Sequence, residues 1–260
     1  MLKIITFVFM LKVALVGSGN LAFKLYTAMI EIEEVDLVGV YSRNEQTLAD
    51  FSQVLTTTDP LILPAADITI IAVSDDAITE VSSKLLPKHG LLAHTSGAQP
   101  LEAIQSEKRG VLYPLQTFSR DRTVDFNKVP FCIEAESDSD YKRLEMLCES
   151  LTDRVEYVLS EDRKYLHLAA VFVNNFVNQL YQTAYEVLEG RDIPFDLLYP
   201  LIEETAAKVK GVVPSTVQTG PAMRNDKGVI NKHLAIQNED QQKIYKLLTQ
   251  AIKQSQQHEL

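Results

Sequence analysis

The residues of this chain best equipped for chemistry stand at the ends of its short apolar runs. Gly17, Ser18 and Gly19 follow the run 11–16, and Asn20, Leu21 and Ala22 open a helical stretch. This is G-x-G-x-x-A between a strand and a helix. Gly17 permits the tight turn, Gly19 lets a pyrophosphate approach the backbone, and Ala22 allows close helix–strand packing. The helix N-terminus then faces the phosphates with its free N–H groups. The arrangement predicts dinucleotide binding, with a merely structural strand–helix turn as the alternative. The next apolar run, 35–41, ends in Ser42, Arg43 and Asn44. An NAD-binding chain commonly places an acid there for the ribose 2′-hydroxyl. A hydroxyl beside a guanidinium suits a 2′-phosphate instead, because arginine grips phosphate bidentately and stacks on adenine. NADP is therefore expected rather than NAD; a solvated loop arginine is the plainer reading.

Later strand ends supply further candidates. Ala72, Val73 and Ser74 close the run 66–73 and are expected along the nicotinamide half of a cofactor, although Ser74 or Asp75 would equally cap the following helix. Thr95, Ser96 and Gly97 follow the run 90–94 and are small enough for a substrate or nicotinamide to come close. His94 is a candidate proton carrier or, alternatively, a satisfied histidine at a strand terminus. Farther on, His167, Asn174 and Asn178 fall within about 20° of one line at 100° per residue on an otherwise apolar helix. Polar groups so placed need partners or a ligand, which leaves a substrate-facing stripe and a hydrogen-bonded helix seam both open. Arg224, in TGPAMRND, would hold a carboxylate or phosphate, unless it pairs with Asp226 or Asp226 simply caps the next helix. His94, Ser96, His167, Asn174 and Arg224 make up the candidate catalytic set.

The elements that must position these residues change character along the chain. Up to residue 159, strands at 11–16, 35–41, 61–63, 66–73, 90–94, 110–113, 129–134 and 154–159 alternate with helices at 20–29, 45–54, from about 75 to 86, and 138–151. Alternation of this kind predicts an α/β domain with a doubly wound, mostly parallel sheet. From residue 160 the period becomes 3.6, with helices over 161–188, 195–210, 229–237 and 239–256. The expected division is 1–159 for cofactor binding and 160–260 for an all-α substrate and dimerisation domain. The first of the late helices is apolar nearly all round from Leu166 to Leu180, and is expected to be central and buried. At about 28 residues it is longer than its own half needs, so the helical faces are expected to meet a second copy.

The 260 residues, 46% of them hydrophobic and 23% charged, are ordinary for a globular protein. A formal net charge of -10 argues against non-specific nucleic-acid partners and anionic membrane surfaces. Two cysteines, Cys132 and Cys148, make neither a disulfide framework nor, alone, a metal site, and suit a reducing cytoplasm. The opening MLKIITFVFM starts like a signal peptide but lacks a small-residue cleavage site before the first strand. The repeated Met-Leu-Lys makes Met10 an alternative start.

The segments VALVGSGNLA, AVSDDAI, HTSGA, YPLQTF, LHLAAVFVNN and TGPAMRND together resemble a Rossmann-like oxidoreductase family of unassigned reaction. It is related to pyrroline-5-carboxylate reductase and deazaflavin-dependent NADP reductase, and joins the dinucleotide domain to a helical domain of the 6-phosphogluconate dehydrogenase type. The resemblance runs from Leu11 to about Gln256. It implies Gly17, Ser18, Gly19, Asn20, Leu21, Ser42 and Arg43 at the cofactor, with His94 to Gly97 and the polar residues of the helical part near a small-molecule substrate. Relatives often carry histidine where Tyr113 stands. The Lys-x-x-x-Asn pair of hydroxyacid dehydrogenases is missing, since Val171 follows His167 by four and Leu168 follows Lys164 by four. The expected function is hydride transfer with NADP to or from a small C=O or C=N substrate. A dinucleotide sensor without turnover is the main alternative, and a methyltransferase a weaker one.

Overall fold

A computed structural model describes residues 10–85 and 90–257. The segment 1–9 that resembles a leader, and the expected end of a helix at residue 86, lie outside the described residues. Eight strands form one sheet: β1 (Leu11–Val16), β2 (Val35–Tyr41), β3 (Thr56–Thr57), β4 (Ile68–Ile71), β5 (Leu91–His94), β6 (Arg109–Pro114), β7 (Phe131–Ala135) and β8 (Val155–Tyr157). Their spatial order is β3-β2-β1-β4-β5-β6-β7-β8, and only the β6–β7 pair is antiparallel. This is the expected doubly wound sheet of Rossmann type. Strand β1 shows why it sits in the middle. Val13 and Leu15 point into a cluster with Leu25 and Met29 of α1 (Asn20–Met29) and Leu144 and Leu147 of α4 (Asp138–Glu149). Ala14 and Val16 point the other way, into a cluster with Ile78 and Val81 of α3 (Ile78–Lys84). A strand clothed on both faces must be apolar where it is covered, as this one is from Val13 to Val16, with only Lys12 near its start exposed.

Local chemistry moves some boundaries. Helix α2 (Glu45–Leu48) is shorter than the expected 45–54. The chain turns back through the Phe51 N–H to Leu48 carbonyl bond, which lets Phe51 bury completely against Phe23 and Tyr26. The strand expected at 61–63 lies instead at Thr56–Thr57, paired with Val40 and Tyr41. Thr57 and Asp59 side chains hold the 57–61 backbone in turns, so Leu61 and Ile62 are exposed and only Leu63 reaches the core. Residues 75–77 form a 3₁₀ turn before α3.

Two compact units divide the chain, the first ending at Asn174 and the second starting at Asn175. The change of pattern at residue 160 thus precedes the division, because α5 (Ser160–Ala170) belongs to the sheet-bearing unit through Arg163. Arg163 is 1% exposed and pairs with Glu134 of β7 at 2.5 Å. A π-helical turn, Val171–Phe176, links α5 to α6 (Val177–Leu188). The expectation of a buried central helix fails within the single chain: Leu168 is 52% exposed and Val173 74%. The second unit consists of α6, α7 (Tyr199–Lys208), α8 (Lys227–Ala235) and α9 (Glu239–Gln257), with 3₁₀ turns at Phe195–Leu198 and Pro214–Val217. Pro200 suits the first turn of α7, where its missing N–H costs nothing. Among the described residues no helix is long and apolar enough to cross a membrane.

Candidate functional site

The turn after β1 is built around two glycines that do different work. Gly17 has φ +116°, and a Cβ there would lie 2.1 Å from the Ala72 carbonyl oxygen, so the turn can pass β4 only as glycine. Gly19 faces open space, with nothing within 4 Å of where its Cβ would be. It is the N-cap of α1, yet no side chain caps this helix and no acid occupies its first turn. The first-turn N–H groups of Asn20 and Leu21 are thereby left for an anion.

Beside this turn three hydroxyls converge. Ser18 Oγ lies 2.7 Å from Ser42 Oγ, and Thr47 Oγ1 donates to Ser18 Oγ at 2.6 Å. Ser42 Oγ also accepts the Asn44 N–H at 3.2 Å. Arg43 is exposed at the same strand end and makes no hydrogen bond or ion pair among the described residues. Hydroxyls next to an uncommitted guanidinium are donors fit for a phosphate monoester. An open cleft of ≈ 400 Å³ runs past them, lined by Gly17, Ser18, Gly19, Asn20, Leu21, Ser42, Arg43, Ala72, Val73, Ser74 and Thr95. It lies beyond the carboxyl ends of β1, β2, β4 and β5, where the winding of the sheet reverses. All eleven residues expected at a cofactor are together there. The Ser74 hydroxyl does not cap the 3₁₀ turn behind it, which removes the capping account of that residue.

A second cluster sits just past Thr95. His94 is fully buried, its Nδ1 accepts the Ser96 N–H at 3.1 Å, and its Nε2 lies 3.1 Å from the Pro100 carbonyl. Both nitrogens are used by one neutral tautomer, and burial pulls the ring pKa down to about 4. Ser96 Oγ accepts the Ala98 and Gln99 N–H groups at 3.1 and 3.0 Å, folding the loop on itself. Over this loop the Tyr113 hydroxyl of β6 meets His167 Nδ1 of α5 at 3.1 Å. Gly97 makes room for the pair: a Cβ there would sit 2.6 Å from His167 Nδ1 and 2.7 Å from Tyr113 Cζ. Burial raises the Tyr113 pKa, so the phenol holds its proton. The other ring nitrogen, His167 Nε2, has no protein partner among the described residues. Gly97 is two residues from Thr95, at most about 7 Å along the backbone, so the pair stands next to the cleft.

The remaining candidates stand on exposed surface. Asn174 and Asn178 are exposed, and the π-helical turn breaks the line they were expected to share with His167. One extra residue in a turn rotates everything beyond it by about 100°. Arg224 is exposed in the second unit, in a turn where Asn225 has φ 51°. Asp226 caps α8 by accepting the Val229 N–H at 3.1 Å, as the plainer reading of that loop held. Sequence reasoning missed Thr47 and the pairing of Tyr113 with His167. Spacing held no signal for either, since His167 lies 54 residues from Tyr113.

A solved structure from Bacteroides fragilis, provisionally described as an NADP oxidoreductase, is 39% identical to this chain, and the match covers 95% of this chain and 99% of that one with a TM-score of 0.87. A pyrroline-5-carboxylate reductase from Coxiella burnetii shares 18% identity over 94% of this chain and 98% of that one, with a TM-score of 0.57. A reductive aminase from Aspergillus terreus, solved with NADPH and ethyl-5-oxohexanoate, shares 12% identity over 96% and 94%, with a TM-score of 0.72. These two share the fold. Residues 129–252 match the family described as a domain of unknown function, DUF2520. No curated protein sequence matches the chain significantly.

Proposed function

The chain belongs to the family of its Bacteroides fragilis relative, and on that premise we propose that it is an NADP-dependent oxidoreductase moving hydride to or from a small C=O or C=N substrate. The observation that carries the reading is the open G-x-G turn with the Ser18, Ser42 and Thr47 hydroxyls and Arg43 beside it. The turn would hold the pyrophosphate, and the hydroxyls with Arg43 the 2′-phosphate. The named ligand of the Aspergillus terreus aminase and the provisional description of the Bacteroides fragilis protein agree with this choice of dinucleotide.

When bound, NADPH supplies the hydride, and NADP accepts it in the reverse direction. The chain must then supply a proton as the carbonyl or imine bond becomes C–O–H or C–N–H. His167, with Nε2 open and Nδ1 held by the Tyr113 hydroxyl, is the group placed for this. His94 and Ser96 position the loop beneath the pair and take no part in proton transfer. The catalytic set so proposed is His167 with Tyr113. We also propose that the exposed apolar residues of the late helices, Leu168 and Val173 among them, are covered by a second copy. Buried thiols at Cys132 and Cys148 suit a reducing cytoplasm.

The test is a thermal-shift comparison of NADP(H) and NADH, followed by NADPH oxidation assays across small ketones, aldehydes and cyclic imines. Stabilisation by NADPH with turnover of one class supports the reading. Tight binding with no turnover on any of them favours the sensor, and no stabilisation by either dinucleotide overturns both.

A further inference from the structure

The segment between β6 and β7 reaches back to the phosphate-binding turn, and nothing in the proposed chemistry yet uses it. Arg120 Nη2 donates to the Ser18 carbonyl at 3.0 Å, while its Nη1 pairs with Asp50. Its guanidinium lies over the Phe23 ring, 4.8 Å from the centroid. Two further bonds fasten the same segment to the first turns of α1: Asn20 Nδ2 donates to the Phe118 carbonyl at 3.1 Å, and Lys24 Nζ to the Arg120 carbonyl at 2.8 Å. Arg120 does not itself line the cleft.

We propose that Arg120 is a positioning residue that holds the phosphate-binding turn in its binding shape by fixing the Ser18–Gly19 peptide. The proposal rests on the reading of this turn as a dinucleotide site. The Ser18 side chain is held by Ser42 and Thr47, but Ser18 stands between two glycines and Gly19 has no neighbour within 4 Å of its Cβ position, so the peptide that joins Ser18 to Gly19 has little to fix it on the glycine side. A trans peptide is planar, and its carbonyl and N–H point opposite ways. A guanidinium on the Ser18 carbonyl therefore turns the Gly19 N–H away from itself. Without that bond the peptide would rotate more easily, and a pyrophosphate would have to order it on binding. Arginine suits the place because the two terminal nitrogens of its planar fork hold Asp50 and the Ser18 carbonyl in a fixed geometry, whereas an ammonium must offer both donors from one rotating nitrogen. The Phe23 ring shields one face of the fork from water.

Because the pyrophosphate is common to both dinucleotides, Arg120 differs from Arg43 in a measurable way. NADPH and NADH are titrated by nicotinamide fluorescence into the wild type and the Arg120→Met, Arg120→Lys and Arg43→Ala proteins, with thermal unfolding of each free protein alongside. Arg120→Met should weaken both cofactors by the same factor, on the order of tenfold as for a lost charge-assisted hydrogen bond, leaving the NADPH/NADH preference unchanged. Arg120→Lys should stay weakened for both, and it carries the test should the Met protein not fold. Arg43→Ala should weaken NADPH alone. Unchanged affinity for both cofactors in folded Arg120 variants overturns the proposal, as does a loss confined to NADPH, which would put Arg120 on the 2′-phosphate. A wild type that binds neither dinucleotide overturns the underlying reading and this proposal with it.

Discussion

At His94 both ring nitrogens are engaged, Nδ1 by the Ser96 N–H and Nε2 by the Pro100 carbonyl, and none of the side chain is exposed. The ring is neutral in the fold, with a pKa lowered from 6.5 to about 4, chiefly by burial. In the unfolded chain it takes up a proton as pH falls through 6.5, while the folded chain resists until about 4. The contribution to stability is therefore whole above pH 6.5, shrinks across that window, and reaches a loss of about 3 kcal/mol below it. Urea unfolding at several pH values should show this slope, and His94→Asn, which cannot titrate, should flatten it. His167 stands in the opposite situation, with one nitrogen held by Tyr113 and the other open. His167→Asn should lower kcat by about 10²-fold or more, as expected for loss of a general acid, with NADPH affinity unchanged. Tyr113→Phe should lower kcat less, since it leaves the imidazole in place. Arg43→Ala should raise the NADPH dissociation constant by about 10-fold to 100-fold while sparing NADH, in line with a charge-assisted phosphate contact of about 1.5–3 kcal/mol. A titration in which both cofactors weaken alike would remove Arg43 from the 2′-phosphate.

Among the elements, the strand–turn–helix unit of β1 and α1 separates structure from function most cleanly. Gly17→Ala meets the Ala72 carbonyl and a disfavoured φ, and should cost about 3 kcal/mol or more of folding stability. Gly19→Val points its side chain into open space, so the protein should melt normally yet lose dinucleotide binding. Melting and titration of the two variants together check the distinction; normal cofactor binding by Gly19→Val would make the turn structural only. The helix leaving the sheet teaches a different lesson. Its apolar composition predicted burial, but burial requires a neighbour, and the π-helical turn at Val171–Phe176 alters which residues share a face. Neither the missing neighbour nor the extra residue in the turn leaves a mark on a 3.6-residue period.

For the whole molecule, exposed Leu168, Val173, Leu197 and Leu201, each more than half exposed, predict association. Light scattering at micromolar concentration should give a dimer, and a single species of 29.2 kDa would refute it. What the amino-acid sequence determined by itself is whatever depends on neighbours along the chain. The bounds Leu11–Val16, Asn20–Met29 and Val35–Tyr41 agree with the structure residue for residue, because an apolar run, a glycine turn and a helix start are local choices. The residues that line the cleft were gathered from the sequence for the same reason, since most stand at strand ends and a parallel sheet brings those ends to one edge, whereas Thr47, on a helix, was not. Only the tertiary structure decided that Tyr113 meets His167 across 54 residues and that Arg120 reaches Ser18 across 102. An apolar pattern says which face of an element needs a neighbour; the order of strands and the path of long loops decide what that face touches.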